Sequence, residues 1–206
     1  CGYIEEAESN MHQLLALYPE NVCIHMLQTD MLASLGRVQG ALANLQHAES
    51  GSEKDRQFPF SSQHIQRVLP EDWYRSLTAP EAIDLRMGVL HETTGDSKTA
   101  LSYFEKAISL NKSSAKIRFM AAELANALLE TKKIPGILSD INEFVVTDEE
   151  TLAAMPLLEK QARVGLFALR ASYGLRKGEK TEIVDEAIVN GLRFDPEHSS
   201  LLALQS

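Results

Sequence analysis

The segment His91-Glu92-Thr93-Thr94-Gly95 comes nearest to a catalytic motif in this chain. It opens like the zinc-protease helix, in which two histidines four residues apart share one face and bind one metal. Gly95 stands where the second histidine is required, so the motif fails. The other histidines, His12, His25, His47, His64 and His198, are scattered and form no pair at i, i+3 or i+4. There is no Gly-x-Gly-x-x-Gly, no phosphate-cradling Gly-Lys-Ser/Thr loop and no Gly-x-Ser-x-Gly elbow. The acidic pairs Glu5-Glu6 and Glu149-Glu150 fall on expected solvent faces or helix starts, where carboxylates favour the helix dipole. The chain is therefore read as non-enzymatic, with no catalytic residue, no metal site and no cofactor.

Two cysteines, Cys1 and Cys23, are too few for a disulfide framework and lack Cys-x-x-Cys spacing. The 206 residues carry 20 Lys+Arg against 29 Asp+Glu, a formal charge of −9, which argues against a broad nucleic-acid footprint. Apolar residues make up 44%, enough for a core, and Leu and Ala far outnumber Val and Ile, which favours helix over sheet. No apolar run approaches the roughly 18 residues of a membrane span. A soluble chain, cytoplasmic or periplasmic, is the expectation.

Helical periodicity supplies the organisation. After Gly95, the residues Ala100, Phe104 and Ala107 fall on one face at i, i+4, i+7. Upstream, Leu85, Gly88 and His91 lie on a helix expected to start at Thr78-Ala79-Pro80-Glu81, where Thr78 and Glu81 have capping-box spacing. Gly36, Ala41, Leu45 and Ala48 reproduce those offsets, and so do Gly2, Ala7, Met11 and Leu14. Gly2 and Gly36 are 34 residues apart (36 − 2). Helix, tight Gly turn, second helix and break, with small residues at the close contact, make a two-helix repeat.

On these residues the sequence resembles the tetratricopeptide repeat (TPR) family, whose period is about 34 residues. Glu81–Ser114 matches best, through Gly88, Gly95, Ala100, Phe104 and Ala107; it lacks the early Trp and has His91 where Tyr is usual. Looser copies follow, one on Lys132, Ile137, Ile141 and Phe144, another from Gly178 to Asp195-Pro196 with Val184, Ile188 and Gly191 inward. The resemblance implies an all-α solenoid of antiparallel helix pairs in a right-handed superhelix. Its expected divisions are a partial repeat over 1–21, a repeat over 22–50, an insertion over 51–77, and the best repeat over 78–114. Degenerate repeats over 115–148 and 149–196 follow, then the start of a further helix over 197–206. In this frame both ends read as cuts through a longer array. That weakens the other reading of Cys1, as the acylated first residue of a bacterial lipoprotein.

The insertion is rich in Gly, Ser, Pro and charge near Gly51, then carries a helical face of Ile65, Val68 and Leu69 before Trp73, Tyr74 and Leu77. Trp73, the single tryptophan, either packs the insertion onto its neighbour or anchors a partner. The resemblance further implies that the first helix of each repeat lines a concave groove. Candidate groove residues are Met26, Asp30, Ala33 and Ser34, then Leu85, Val89, Glu92 and Thr93, then Asn126 and Glu130, then Leu169, Tyr173 and Arg176. The Lys and Asn with which chaperone-binding members grip a terminal carboxylate are absent, which argues against an Hsp70 or Hsp90 tail. Arg170, Arg176, Lys177 and Lys180 gather positive charge against the acidic average. The expected function is a non-catalytic scaffold that takes a peptide or partner helix. Alternatives are a component of bacterial secretion, polysaccharide export or envelope assembly, and an accessory domain of a larger enzyme.

Overall fold

The computed structural model describes residues 2–51, 53–59 and 70–205. Cys1 and the short helix expected over Ile65, Val68 and Leu69 lie outside the described residues. The helices in chain order are α1 (Gly2–Leu17), α2 (Val22–Ser34), α3 (Val38–Glu49), α4 (Glu71–Thr78), α5 (Ala82–Thr93) and α6 (Ser97–Leu110). Then come α7 (Ala115–Ala127), α8 (Ile134–Ile137), α9 (Glu149–Ala154), α10 (Leu157–Lys177), α11 (Thr181–Phe194) and α12 (Ser199–Gln205). Two 3-10 turns, Glu53–Arg56 and Ile141–Phe144, complete the regular structure of the described residues, which hold no strand. The chain divides into two compact units, residues 1–110 and 111–206. No described helix is long and apolar enough to cross a membrane.

In the first unit, α2 starts where the Asn21 side chain accepts the Ile24 N–H at 3.1 Å, satisfying one of the free donors of a helix start. It ends at Gly36, whose φ of +72° lets Gly36 N–H bond Ala33 O and Arg37 N–H bond Leu32 O. Gly95 (φ +83°) closes α5 with the same two bonds, to Glu92 O and His91 O. After each turn the chain folds back, α3 along α2 and α6 along α5. Ala41, Leu45 and Ala48 are buried in one pair, Ala100, Phe104 and Ala107 in the other. A Cβ on Gly88 would lie 2.5 Å from Phe104 Cδ1, so the ring fills the space that the missing side chain leaves. In α1 the equivalent Ala7 is exposed and Met11 and Leu14 only half-buried.

The insertion is fastened to α2. Asn21 Nδ2 donates to Gln57 O (2.6 Å), Cys23 Sγ donates to Arg56 O (3.0 Å), and Phe58 stacks on Tyr74 with 5.7 Å between centroids. Leu77 of α4 is buried in the cluster that holds Met26, Leu45 and Met87. The capping box expected at Thr78 and Glu81 does not form. Thr78 ends α4 and its hydroxyl donates to Tyr74 O (3.0 Å), while α5 begins at Ala82 with no side-chain cap. Pro80 is the cause: it holds Ala79 extended (φ −63°, ψ 141°), which stops α4 and delays α5.

In the second unit, α7 is capped by Ser114 Oγ and ends at Leu129, a non-glycine residue with φ +58°. Leu129 N–H bonds Asn126 O and Glu130 N–H bonds Ala125 O, the pattern of the glycine turns. The turn of this repeat is therefore at Leu129 and not at Lys132, and Glu130 lies beyond the helix. The second helix that should follow is broken into the single turn α8 and the 3-10 turn, with Asp140 left-handed (φ +55°) between them. Pro135 removes a donor and Gly136 weakens the helix further. Ile134, Ile137, Leu138, Ile141 and Phe144 stay buried all the same. Arg118, 3% exposed, pins the broken segment by donating to Lys112 O (2.9 Å), Ile137 O (2.8 Å) and Ser139 O (3.0 Å). Helices α10 and α11 form a full pair about Gly178 (φ +66°), with Val184, Ile188 and Gly191 buried. Gly165 admits the Phe119 ring of α7, whose Cδ2 would lie 2.7 Å from a Cβ.

Candidate functional site

The first helices carry the residues that sequence reasoning assigned to a binding face, and the structure divides them into three groups. The first group, on α2, is not open: Met26 is 2% exposed, inside the core cluster with Leu77 of the insertion. The correction has a plain cause, since the insertion tied to α2 makes core of what would otherwise be an open face. Asp30 is also engaged. Arg86 donates Nε to Oδ1 and Nη2 to Oδ2 of Asp30, both at 2.8 Å, and Nη1 to Ser76 O at 3.0 Å. This two-pronged bond joins α2, α5 and the end of α4, so Asp30 is a structural anion here. Nothing in the spacing pointed to Arg86, because its partner lies 56 residues upstream, on α2.

The second group is on α5. Leu85 is half-buried, Val89 is 40% exposed, and Glu92 and Thr93 face solvent, with the Thr93 hydroxyl turned back onto Val89 O (2.8 Å). On α4, Trp73 is 44% exposed, although Tyr74 and Leu77 pack inward.

The third group is brought together from separate helices. Arg176 of α10 donates Nη2 to Asn126 Oδ1 of α7 at 2.8 Å, across 50 positions of sequence. Leu169 and Tyr173 precede Arg176 by two turns and one turn on α10, both half-buried, and Lys177 Nζ lies 5.7 Å from the Tyr173 ring centroid. The expected basic cluster is not one patch. Arg170 is bound to Glu179 (2.6 Å) and its Nη1 is buried beside Gly174, Arg176 serves Asn126, and Lys177 covers Tyr173. Only Lys180 of the four is left as a plainly solvated cation.

Burial pushes the Cys23 thiol up to about 11, against the opposing charges of Arg56 and Arg86. Partial burial raises Asp84, while Lys106 opposes the shift and Glu49 adds to it. Hydrogen bonds from Thr99 and Thr151 hold Asp96 and Asp148 below the usual carboxylate range, as helix-start acceptors. Among the described residues no group of three His, Cys, Asp or Glu is placed to hold a metal ion.

No protein-family model matches the sequence, and no curated protein matches it. Among solved structures the chain is similar to Pseudomonas aeruginosa PilF, at 13% identity and a TM-score of 0.58, over 97% of this chain and 72% of that one. The fold is that of a tetratricopeptide-repeat protein. YrrB, a TPR protein with an unusual peptide-binding site, is also similar, at 13% identity and a TM-score of 0.44, over 95% of this chain and 97% of that one. Helices α2 and α3, α5 and α6, and α10 and α11 each pack together as a pair, while α7 is followed by the single turn α8 and a 3-10 turn.

Proposed function

We propose that this protein is a non-catalytic interaction scaffold whose first-helix faces bind a peptide or helix of a partner protein. The observation that carries the reading is the Arg176–Asn126 bond. It ties two first helices side by side, so that Asn126, Leu169, Tyr173 and Arg176 present one preformed strip with an apolar middle and a polar edge. A strip assembled before binding loses little conformational freedom when occupied, which favours affinity. Leu85, Val89, Glu92 and Thr93 form a comparable strip on α5, with Trp73 an exposed aromatic anchor near the insertion. The apolar middle and polar edge suit an amphipathic helix or an extended apolar segment.

The test is capture of partners by the full chain and by two variants, Tyr173→Glu and Val89→Glu, each first checked for unchanged helicity. Loss of the same partners by either variant supports the reading. Retention of all of them by both sinks it.

A further inference from the structure

The broken second helix of the α7 repeat leaves a space that the rest of the unit does not refill. In the complete pairs the second helices run 12 to 14 residues, Val38–Glu49, Ser97–Leu110 and Thr181–Phe194. Here the equivalent stretch is the four-residue α8 and a 3-10 turn. Between that turn, α10 and α11 lies a gap of about 430 Å³. Its floor is apolar, with Leu138, Ile141 and Phe167. Its rim carries Asp140, Glu143 and Glu186, all exposed and without an ion pair among the described residues. Arg170, the one cation among the described residues that line the gap, is already paired with Glu179 at 2.6 Å. Apolar floor and unbalanced acidic rim together define what the gap accepts.

We propose that the gap docks a basic amphipathic segment of a partner protein, which lays an aromatic or branched side chain over Leu138, Ile141 and Phe167 and sets Lys or Arg against Asp140, Glu143 and Glu186. The charge complement selects this occupant. A second copy docking by this same face would bring the same three carboxylates to the rim, where like charges oppose association. This site is separate from the first-helix strip and stands whether or not that strip binds a partner.

The experiment is fluorescence anisotropy on the full chain with two labelled synthetic helical peptides. They share one face of Leu and Phe at i, i+4 spacing and differ only in flanks of Lys or of Glu. The Lys peptide is expected to bind at least tenfold more tightly than the Glu peptide, with the preference fading as salt rises. Asp140→Asn, Glu143→Gln and Glu186→Gln combined should erase the preference. Ile183→Lys, a substitution at an exposed position of the gap wall, should abolish Lys-peptide binding with helicity unchanged. Equal affinity for the two peptides, a preference that survives the triple substitution, or self-association of the chain that Ile183→Lys disrupts would each overturn the proposal. Tyr173→Glu changes only the strip and Ile183→Lys only the gap, so failure of one reading is distinguishable from failure of the other.

Discussion

Leu129 stands one repeat period after Gly95 and adopts the same left-handed backbone, with the same pair of turn hydrogen bonds. Its side chain is 77% exposed and contributes no packing that would offset the conformation. A left-handed non-glycine residue costs about 1–2 kcal/mol, so Leu129→Gly is expected to stabilise the second unit by about 1 kcal/mol after the added freedom of the unfolded chain. Urea melting checks this; an unchanged or lower midpoint contradicts it.

Gly88 faces the Phe104 ring, whose Cδ1 would lie 2.5 Å from a Cβ at that position. Gly88→Ala should cost about 1–3 kcal/mol by overpacking against the ring. Adding Phe104→Leu should recover part of that loss, because the smaller side chain leaves room for the methyl group. Strictly additive losses in the double variant would show that the two residues do not press on each other.

Arg118 is the buried cation that holds the broken helix. Arg118→Met strands three carbonyl groups and should cost about 2–4 kcal/mol. Arg118→Lys should rescue little of this, since an ammonium group lacks the planar fork that reaches Lys112 O, Ile137 O and Ser139 O together. Full rescue by lysine would point to charge alone.

The sequence carried the fold where the physics is local. Small residues at Gly88, Ala100 and Ala107, with Phe104 between, state a close helix contact in one short stretch. The same rule at Leu129 was readable by counting one period onward from Gly95, but a leucine hides a left-handed turn. The bonds between distant elements were not legible. Arg86 to Asp30, Arg176 to Asn126 and the fastening of the insertion to Cys23 and Asn21 depend on which helices become neighbours. Met26 and Val89 look alike as first-helix apolar residues, and only the insertion decides that one is core and the other exposed.

Asp30→Asn removes half of the two-pronged bond to Arg86 and should destabilise the first unit by about 1–2 kcal/mol, the value being held down by the partial exposure of both partners. Because Arg86 also holds Ser76 O at the end of α4, the emission of Trp73 should shift toward the red as α4 loosens. An unshifted spectrum would separate the ion pair from the insertion.

Cys23 supplies a pH prediction. Its folded-state pKa, about 11, lies above the ordinary value of 9.0, so the folded chain holds the proton more tightly. The associated stability is complete below pH 9 and lost as pH rises from there toward 11. In a Cys1→Ser background, Cys23 should resist alkylation at pH 8 until the insertion is released, and Cys23→Ala should flatten the alkaline loss. Rapid alkylation of Cys23 in the folded Cys1→Ser chain at pH 8 would contradict burial beneath Arg56 O.

The most direct test of the scaffold account is site-specific photo-crosslinking in the cells that make the protein. One crosslinker replaces Tyr173 on the first-helix strip, and a control replaces the exposed Val189 on second helix α11. The account predicts a discrete protein adduct from position 173 and none of that mass from 189. Equal adducts from both positions, or none from 173 while 189 labels, would contradict it.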